Sequence, residues 1–476
     1  MIRPQRKASV YAGLICLPCC LIFLVGSIAE ATFDQNGMQS SGNKVIYGAD
    51  DRIDVYEETD ADRRAWADSV CALVRIEDLH DNDDGTWSLH TKAYTVAGKP
   101  PCPGEAFSTQ PTASFCSGFM AAADIIVTAG HCLTKDTLDS LAFVFGFEML
   151  DADQPRLVFD HTRIYYGVDI IAIRHAPTLD FAVVQVDRDI TAPGAQPLAM
   201  RQGGEITVGT PVGIIGHPYG LPKKLAFGLN TSVRNTDEPF FFYANVDAFS
   251  GNSGSPVFDA ETGIVEGILV RGNNDYKVGS YCFQSHRMDD DTATPEAINR
   301  SITFVSFVND YHLPPVNDHC EEAIVIHAEE YYLGSTRSGS TTLMSSCGQD
   351  DFIDVWFLFI PDQKDDYLIS LCESDFDAIL ALYTGTCESL EEIACSDSGC
   401  DDGASLCISL DARVPIFIRV AGNHGTRGSY LLQISSDVAC SSPSCGMQEG
   451  FNMAGILLMS MMIMILFAFS AIKSVI

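Results

Sequence analysis

The sequence contains few basic residues for its size. Over 476 residues it has 29 Lys and Arg against 63 Asp and Glu, which gives a formal net charge of −34. A polyanion of this size is repelled by phosphate backbones, so the composition disfavours nucleic acid as a partner. The acidity either keeps the surface solvated, which is the commoner case, or binds calcium.

Two further features are scarce, namely long helical periodicity and paired CxxC motifs with zinc spacing. The lack of CxxC pairs disfavours a zinc site, and we predict neither a metal nor a cofactor. Instead of helices, short β-rich runs are separated by Gly, Pro and Asx clusters, which predicts an all-β barrel or sandwich. These runs are residues 70–76, 114–119, 125–128, 142–147, 181–186, 212–215, 240–246 and 264–270.

Both ends of the chain have the composition of targeting segments. Residues 1–31 contain basic residues, an apolar run and a small-x-small site at Ala29-Glu30-Ala31, which predicts an export signal cut after about Ala31, or else an uncleaved anchor. Residues 453–472 are about 20 residues without a charge, followed by Lys473. This segment predicts a transmembrane helix that anchors a secreted or extracytoplasmic protein to the membrane. A cleaved sorting tail, with Cys440 to Cys445 as its motif, is the alternative.

Cysteine usage agrees with export. Three of the 17 cysteines lie in the predicted signal, and the 14 that remain favour disulfides. An odd number precedes the change of composition near residue 315, so at least one of them is free or paired outside that part. These five are Cys71, Cys102, Cys116, Cys132 and Cys282.

Three stretches carry candidate catalytic residues. In Gly251-Asn252-Ser253-Gly254-Ser255-Pro256, small residues surround Ser253 and permit the sharp turn and close N–H approach of a nucleophile loop, although an ordinary turn has a similar composition. A buried strand runs into His131, which suits a fixed general base or a structural histidine. Asp180 begins an apolar strand, where its carboxylate can contact a histidine ring. Asp169 is a weaker candidate for the same role. The alternative for both is an ordinary aspartate at the start of a strand.

In their order along the chain, three stretches resemble the motifs of the trypsin-like serine proteases. They are Thr128-Ala129-Gly130-His131-Cys132, Asp180-Phe181-Ala182 and the stretch around Ser253. The nearest likeness is to their bacterial glutamyl-endopeptidase branch, over residues 45–312. The resemblance implies two six-stranded antiparallel β-barrels with the active site between them, and protein or peptide substrates.

The resemblance also implies the roles of individual residues. Ser253 is the nucleophile, His131 the general base and Asp180 the residue that orients the imidazole. The backbone N–H groups of Gly251 and Ser253 form the oxyanion hole, and Cys116 pairs with Cys132 in a disulfide beside the histidine.

Substrate preference depends on three positions. Asp247, six residues before Ser253, resembles the aspartate that binds Lys or Arg side chains in trypsin, and it favours a basic P1 residue. Leu269 stands where the glutamyl branch has a histidine, which disfavours an acidic P1. Arg271 lies at the rim of the predicted pocket and can counter Asp247.

Residues 32–44 are a predicted propeptide or flexible lead. The Lys44-Val45 bond resembles the activation bond of trypsin-like zymogens, yet Asn252 replaces the aspartate that pairs with the new amine, so that salt bridge is excluded. Val45 either lies near the substrate pocket after cleavage, or the segment is only trimmed.

After a linker at 313–319, residues 320–436 predict a second all-β unit, followed by a Cys-containing spacer at 437–452. The unit resembles the bacterial pre-peptidase C-terminal domain, a β-sandwich of secreted proteases, which implies substrate or surface binding or a part in maturation. The likeness rests on Cys347-Gly348, Asp354-Val355-Trp356, Phe376-Asp377, Leu382-Tyr383 and residues 425–430. Its acidic loops either bind calcium or are simply solvated; they contain Asp350, Asp351, Asp375, Asp377, Asp401 and Asp402.

These observations predict an exported serine endopeptidase. The alternative is a non-catalytic surface-binding protein that keeps the protease fold as a scaffold.

Overall fold

The computed structural model describes residues 45–440, except 273–274, 291–292, 310, 312, 341–342, 352, 401–402, 437 and 439. The predicted export signal, the lead at 32–44, residues 441–452 of the spacer and the segment at 453–472 lie outside the described residues. Within the described part, no helix is both long and apolar enough to cross a bilayer. All described residues belong to one compact unit of the chain.

The N-terminal two thirds of the described chain are built from short strands and two short helices. In chain order the elements are β1 (Ile46–Tyr47), β2 (Arg52–Asp54), α1 (Ala61–Asp68), β3 (Val70–Arg75), β4 (Leu79–Asp81), β5 (Thr86–Leu89), β6 (Lys92–Ala93), β7 (Pro111–Thr112), β8 (Cys116–Ala122), β9 (Ile125–Thr128), β10 (Leu141–Phe145), β11 (Val158–Asp160), β12 (Ile164–His175), β13 (Asp180–Val186), β14 (Val212–Gly216), β15 (Lys224–Ala226), β16 (Val233–Asn235), β17 (Phe241–Ala244), β18 (Pro256–Asp259), β19 (Val265–Arg271), β20 (Tyr276–Val278), β21 (Phe283–Ser285), β22 (Arg287–Met288), β23 (Glu296–Arg300) and α2 (Val305–Asn309).

Six of these strands close into a barrel in the order β10-β12-β13-β9-β8-β3. Most positions of these strands are buried, and β9 is buried at all of its positions, whereas β12 also has exposed positions such as Val168. β12 and β13 form a hairpin in which His175 pairs with Asp180. β13 also pairs with β9, so the barrel brings the end of β9 and the start of β13 side by side.

The second predicted six-stranded barrel is not a closed ladder. Its strands belong to an eight-stranded sheet of order β16-β17-β23-β19-β18-β14-β15-β2. The six strands from β16 to β14 in this order correspond to the second predicted barrel. Among the described residues, its two end strands are linked by an isolated bridge between Pro211 and Ser232 and by hydrogen bonds around it, such as Val233 N to Thr210 O at 3.0 Å. Proline has no N–H to donate, which prevents a regular ladder at this junction. Of the two predicted six-stranded barrels, the first is thus a closed barrel, and the second is a half-barrel within the larger sheet.

The C-terminal part forms two further sheets, as expected for a sandwich. Its strands are β24 (Ile324–Ile326), β25 (Tyr331–Ser335), β26 (Asp354–Phe359), β27 (Asp365–Ser370), β28 (Ala378–Thr386), β29 (Ser389–Ser396), β30 (Ser405–Leu410), β31 (Ile416–Gly422) and β32 (Ser429–Ser435). One sheet has the order β24-β26-β31-β28-β29 and the other β25-β32-β27-β30. Alternate side chains, including Phe357, Ile418 and Leu432, fill the core between them.

Six disulfides link twelve of the thirteen described cysteines, and Cys116–Cys132 is one of them, as the resemblance implied. Cys71 is buried and free, which accounts for the odd cysteine before residue 315. Cys440 bonds to Cys407 and fastens the start of the spacer to the sandwich. The remaining pairs are Cys102–Cys282, Cys320–Cys387, Cys347–Cys395 and Cys372–Cys400.

Candidate active site

His131 and Asp180 meet where β9 ends and β13 begins. His131 follows β9 in a short 3-10 turn, Gly130–Cys132. Its Nδ1 atom lies 2.8 Å from Asp180 Oδ2, and its backbone N–H donates to Asp180 Oδ1 at 3.0 Å. The Asp180 side chain is buried. The carboxylate thus fixes both the ring and the backbone of the histidine, the arrangement that orients an imidazole for proton transfer.

Gly130 makes this close approach possible. A Cβ atom at this position would lie 1.8 Å from the backbone oxygen of Arg174 on β12. Because only glycine fits there, the turn that carries His131 packs directly onto the β12–β13 hairpin.

Asp169, the weaker candidate, is not brought to His131. Its carboxylate forms an ion pair with Arg337 of the sandwich, with 2.5 Å between Oδ2 and Nη1. This aspartate therefore joins the barrel to the C-terminal part and is separate from the candidate site.

The loop around Ser253 is a sharp turn that requires its glycines. Gly251 has φ +92° and Gly254 has φ +83°. A Cβ at Gly254 would lie 2.2 Å from Ser117 O and 2.8 Å from the backbone nitrogen of Ala129. The loop consequently packs against the backbone that leads into His131. Ser253 itself is buried at 4% exposure.

Two strands hold this loop in place. Ser117 of β8 donates its N–H to Ser253 O at 2.8 Å and its hydroxyl to Gly251 O at 2.8 Å. Leu269 of β19 accepts from Gly254 N at 2.8 Å and donates to Ser255 O at 3.0 Å. Cys132 Sγ lies 3.8 Å from Ser253 O, so the disulfide beside His131 touches the serine loop. These contacts place the Ser253 loop next to the turn that carries His131, whose ring and backbone contact Asp180.

Asp247 is occupied by the N-terminal segment of the described chain. Its Oδ1 accepts from Tyr47 N at 2.7 Å and its Oδ2 from Asp51 N at 2.8 Å. Val45 is buried beside it and accepts a hydrogen bond from Ala248 N. Burial raises the pKa of Asp247 to about 7, even though both backbone donors act in the opposite direction.

Leu269 and Arg271 lie on the strand that follows the serine loop. Leu269 is buried, and its backbone supports the loop. Arg271 donates to the carbonyl oxygens of Ala176 and Pro177, both at 2.7 Å, and lies over the ring of Phe241. Arg271 thus contacts these carbonyl groups and the ring of Phe241, whereas Asp247 accepts from Tyr47 and Asp51.

Four polar residues near the site were missed by sequence reasoning. Asn299 accepts from the N–H of Asp180 at 2.8 Å, and the ring centroid of exposed His175 lies 5.9 Å from that of His131. His217 is buried behind the serine loop, and burial lowers its pKa to about 3, so it is neutral at physiological pH. Arg52 lies over the ring of Phe249, just before the loop. Their sequence neighbourhoods contain no motif that distinguishes them from ordinary strand and turn residues.

The described residues do not form a metal site here. The group of potential ligands found close together is Cys116, His131 and Cys132, but the two sulfur atoms are bonded to each other and cannot act as thiolates. Of the acidic loop residues, Asp351 is buried against Arg419 rather than solvated. Asp375 accepts hydrogen bonds from Ser429, while Asp401 and Asp402 lie outside the described residues.

Residues 116–268, which include His131, Asp180 and Ser253, match the family model of the Trypsin-like peptidase domain. This part of the chain is therefore similar to a trypsin-like peptidase domain. No curated protein matches the chain.

Several solved structures are similar at low identity. The scabies mite inactivated protease paralogue S-I1 is 15% identical, with 53% of this chain and 96% of that chain covered and a TM-score of 0.33. Human heparin binding protein is 15% identical, with 42% and 88% covered and a TM-score of 0.31. The Vibrio cholerae VesB protease is 12% identical, with 83% and 98% covered and a TM-score of 0.32. Similarities this low carry no information on the activity of this chain.

Proposed function

We propose that this protein is an exported serine endopeptidase that cleaves peptide bonds through Ser253, His131 and Asp180. The observation that carries the proposal is the double contact between Asp180 and His131, at 2.8 Å to the ring and 3.0 Å to the backbone, within a trypsin-like peptidase domain. A histidine fixed in this way beside a glycine-rich serine loop suits acyl transfer better than simple binding.

In the proposed mechanism, His131 removes the proton from Ser253 Oγ as this oxygen attacks the peptide carbonyl. The resulting imidazolium is stabilised by Asp180 and then protonates the leaving amine. Water repeats the sequence on the acyl-enzyme and releases the second product. The backbone N–H groups of Gly251 and Ser253 stabilise the oxyanion, where loss of one such donor typically costs about 3 kcal/mol.

A basic P1 side chain remains the preferred substrate feature, with Asp247 as its determinant. The hydrogen bonds from Tyr47 and Asp51 use one lone-pair direction of each carboxylate oxygen, and a carboxylate has further acceptor capacity. Competition with these donors and the raised pKa of Asp247 both limit how strongly a basic side chain is bound.

We further propose that the chain is exported and held at the membrane by residues 453–472. Mapping both termini of the protein taken from its native envelope tests this part separately. A mature N-terminus near residue 32 or 45 supports export with cleavage, whereas an intact Met1 contradicts cleavage and leaves the uncleaved anchor.

The proposed activity is tested by hydrolysis of an unfolded protein substrate. The parent should cleave it, and Ser253→Ala should reduce the rate to background. Ser255→Ala is a matched control, because its hydroxyl is buried in the same loop and has no hydrogen-bond partner among the described residues. Cleavage that survives Ser253→Ala would refute the assignment, and a parent that cleaves nothing but binds surfaces would favour the non-catalytic alternative.

A further inference from the structure

A groove lies between β19 and the turn of the β12–β13 hairpin. We call it the side groove, and its lining includes Pro177, Phe240, Phe241, Tyr243, Arg271 and Tyr331. It encloses about 650 Å³. A volume of this order is typical of ligand-binding clefts.

Both walls of the side groove contain residues that lie close in sequence to the candidate site. On one wall, Leu269 supports the Ser253 loop, and Arg271 follows two residues later, about 7 Å further along an extended strand. On the other wall, Pro177 and Thr178 lie just before Asp180. Arg271 joins the walls through its two 2.7 Å hydrogen bonds to Ala176 O and Pro177 O.

The lining is mostly apolar and aromatic. Phe240, Phe241 and Tyr243 come from the same stretch of chain, and Arg271 covers the ring of Phe241 at 5.1 Å. Two guanidinium nitrogens of Arg271 already donate to carbonyl groups, so this side chain mainly links the two walls of the groove. The surface that remains suits an apolar or aromatic side chain.

The sandwich completes this lining. Tyr331, the first residue of β25, lines the groove and packs edge-on against Phe240, with 5.3 Å between ring centroids. Tyr331 is nevertheless 46% exposed, so part of its ring is accessible. On the opposite wall, Thr178 donates its hydroxyl to the Glu373 carboxylate of the sandwich, at 3.1 and 3.0 Å to the two oxygens.

The sandwich is fixed to this hairpin by a buried polar contact. Arg174 of β12 is buried, donates to Ser429 Oγ at 2.6 Å and lies 3.6 Å from Asp375 Oδ2. Asp375 Oδ2 also accepts from the backbone N–H of Ile173 at 3.3 Å. A buried arginine of this kind needs its partners, so movement of the sandwich away from the hairpin is unfavourable.

We propose that the C-terminal sandwich forms part of the substrate-binding site. Tyr331 is a wall of the side groove, which receives an apolar or aromatic side chain of an extended peptide about two residues from the scissile bond. This inference rests on the proposed peptidase function and adds a specificity-determining residue from outside the peptidase domain. The sandwich is thereby a part of the substrate-binding surface and not only a separate binding module.

The test uses the full chain and two substrate sets. The first is a peptide series in which Phe or Gly occupies each position near the scissile bond, and the second is a single-residue ester too short to reach the groove. At one position, Tyr331→Ala should lower kcat/KM for the Phe peptide by roughly tenfold, mainly through KM. Gly peptides and the ester should be hydrolysed as by the parent.

Two variants distinguish binding from general damage. Tyr331→Phe keeps the ring and should retain the preference for Phe. Tyr281→Ala removes a tyrosine that is 88% exposed and does not line the groove, so it should behave as the parent. Equal kcat/KM for parent and Tyr331→Ala on every Phe peptide would overturn the proposal, as would an equal loss on peptides and ester. A parent that hydrolyses neither set instead refutes the peptidase function itself.

Discussion

Asp180 contacts His131 through two different groups, the ring Nδ1 and the backbone N–H. Asp180→Asn keeps the size of the side chain but removes the charge that stabilises the imidazolium and favours the wrong tautomer. We expect kcat for peptide hydrolysis to fall by roughly 10³- to 10⁴-fold, with little change in KM. Steady-state kinetics on a peptide substrate measure both quantities.

Asp169→Asn is the matched control for that variant. Asp169 pairs with Arg337 on the surface between barrel and sandwich, so its replacement should leave kcat within about twofold of the parent. If the two variants lost activity equally, Asp180 would have no special role.

Asp247 leads to a prediction on pH. Since its pKa is raised to about 7 by burial, the carboxyl group is mostly neutral below pH 7 and charged above it. A preference for P1 Lys over P1 Met should therefore increase as the pH rises from about 6 to about 8. The ratio of kcat/KM for the two peptides measures the preference, and titration of groups common to both substrates cancels in it.

Asp247→Asn should flatten this pH dependence. A ratio that is independent of pH in the parent would show that Asp247 does not bind the P1 side chain.

Among the structural elements, the 3-10 turn with His131 is held by the Cys116–Cys132 disulfide, which closes a segment with a sequence separation of 16. Cross-linking a loop of this length typically stabilises a fold by about 3 kcal/mol. Replacing both cysteines by alanine should lower the free energy of unfolding by about that amount, as measured by denaturant titration. Cys71→Ala, at the free buried cysteine, should cost only about 1 kcal/mol. Equal losses would exclude a special role for the disulfide.

The strands were the most predictable elements. Runs such as 125–128 and 181–186 are apolar, β-branched and bounded by turn residues, and they became β9 and β13. The junction at Pro211 was not predictable, because its bridge to Ser232 depends on how distant strands meet. α1 was missed as well, although Asp60 caps it by accepting from Asp62 N and Arg63 N.

The candidate site was predictable to the extent that its residues lie in motifs. His131, Asp180 and Ser253 are each embedded in a short recognisable stretch. The partners of Asp247 are backbone N–H groups, which every residue except proline has, and they leave no mark in the sequence. Arg174 and Asp375 lie far apart along the chain, and no local pattern connects them.

In the whole molecule, barrel and sandwich share apolar and polar contacts. Leu431 belongs to the apolar core that is otherwise formed by residues between Ala67 and Val308, and Leu333 packs against it. Together with the buried Arg174, these contacts predict that the two parts unfold in one transition. Separation of the parts would expose apolar surface and would leave the charge of Arg174 without its partners.

The three tryptophans allow the unfolding of the two parts to be followed separately by fluorescence. Trp66 and Trp87 report on the peptidase part and remain in Trp356→Phe, whereas the double variant Trp66→Phe and Trp87→Phe reports on the sandwich alone. Circular dichroism gives the denaturant midpoint of each variant and so accounts for any change in its stability. In each of the two variants, the midpoint measured by fluorescence should coincide with the midpoint measured by circular dichroism. Two separate transitions would contradict the prediction.

The proposed activity of the whole protein depends on Ser253 acting as a nucleophile. The most direct measurement is to treat the folded protein with a fluorophosphonate and to locate the adduct by peptide mass spectrometry. We predict one adduct, on Ser253, which is absent when His131 is replaced by alanine. No adduct, or an adduct confined to another residue, would contradict the proposed peptidase.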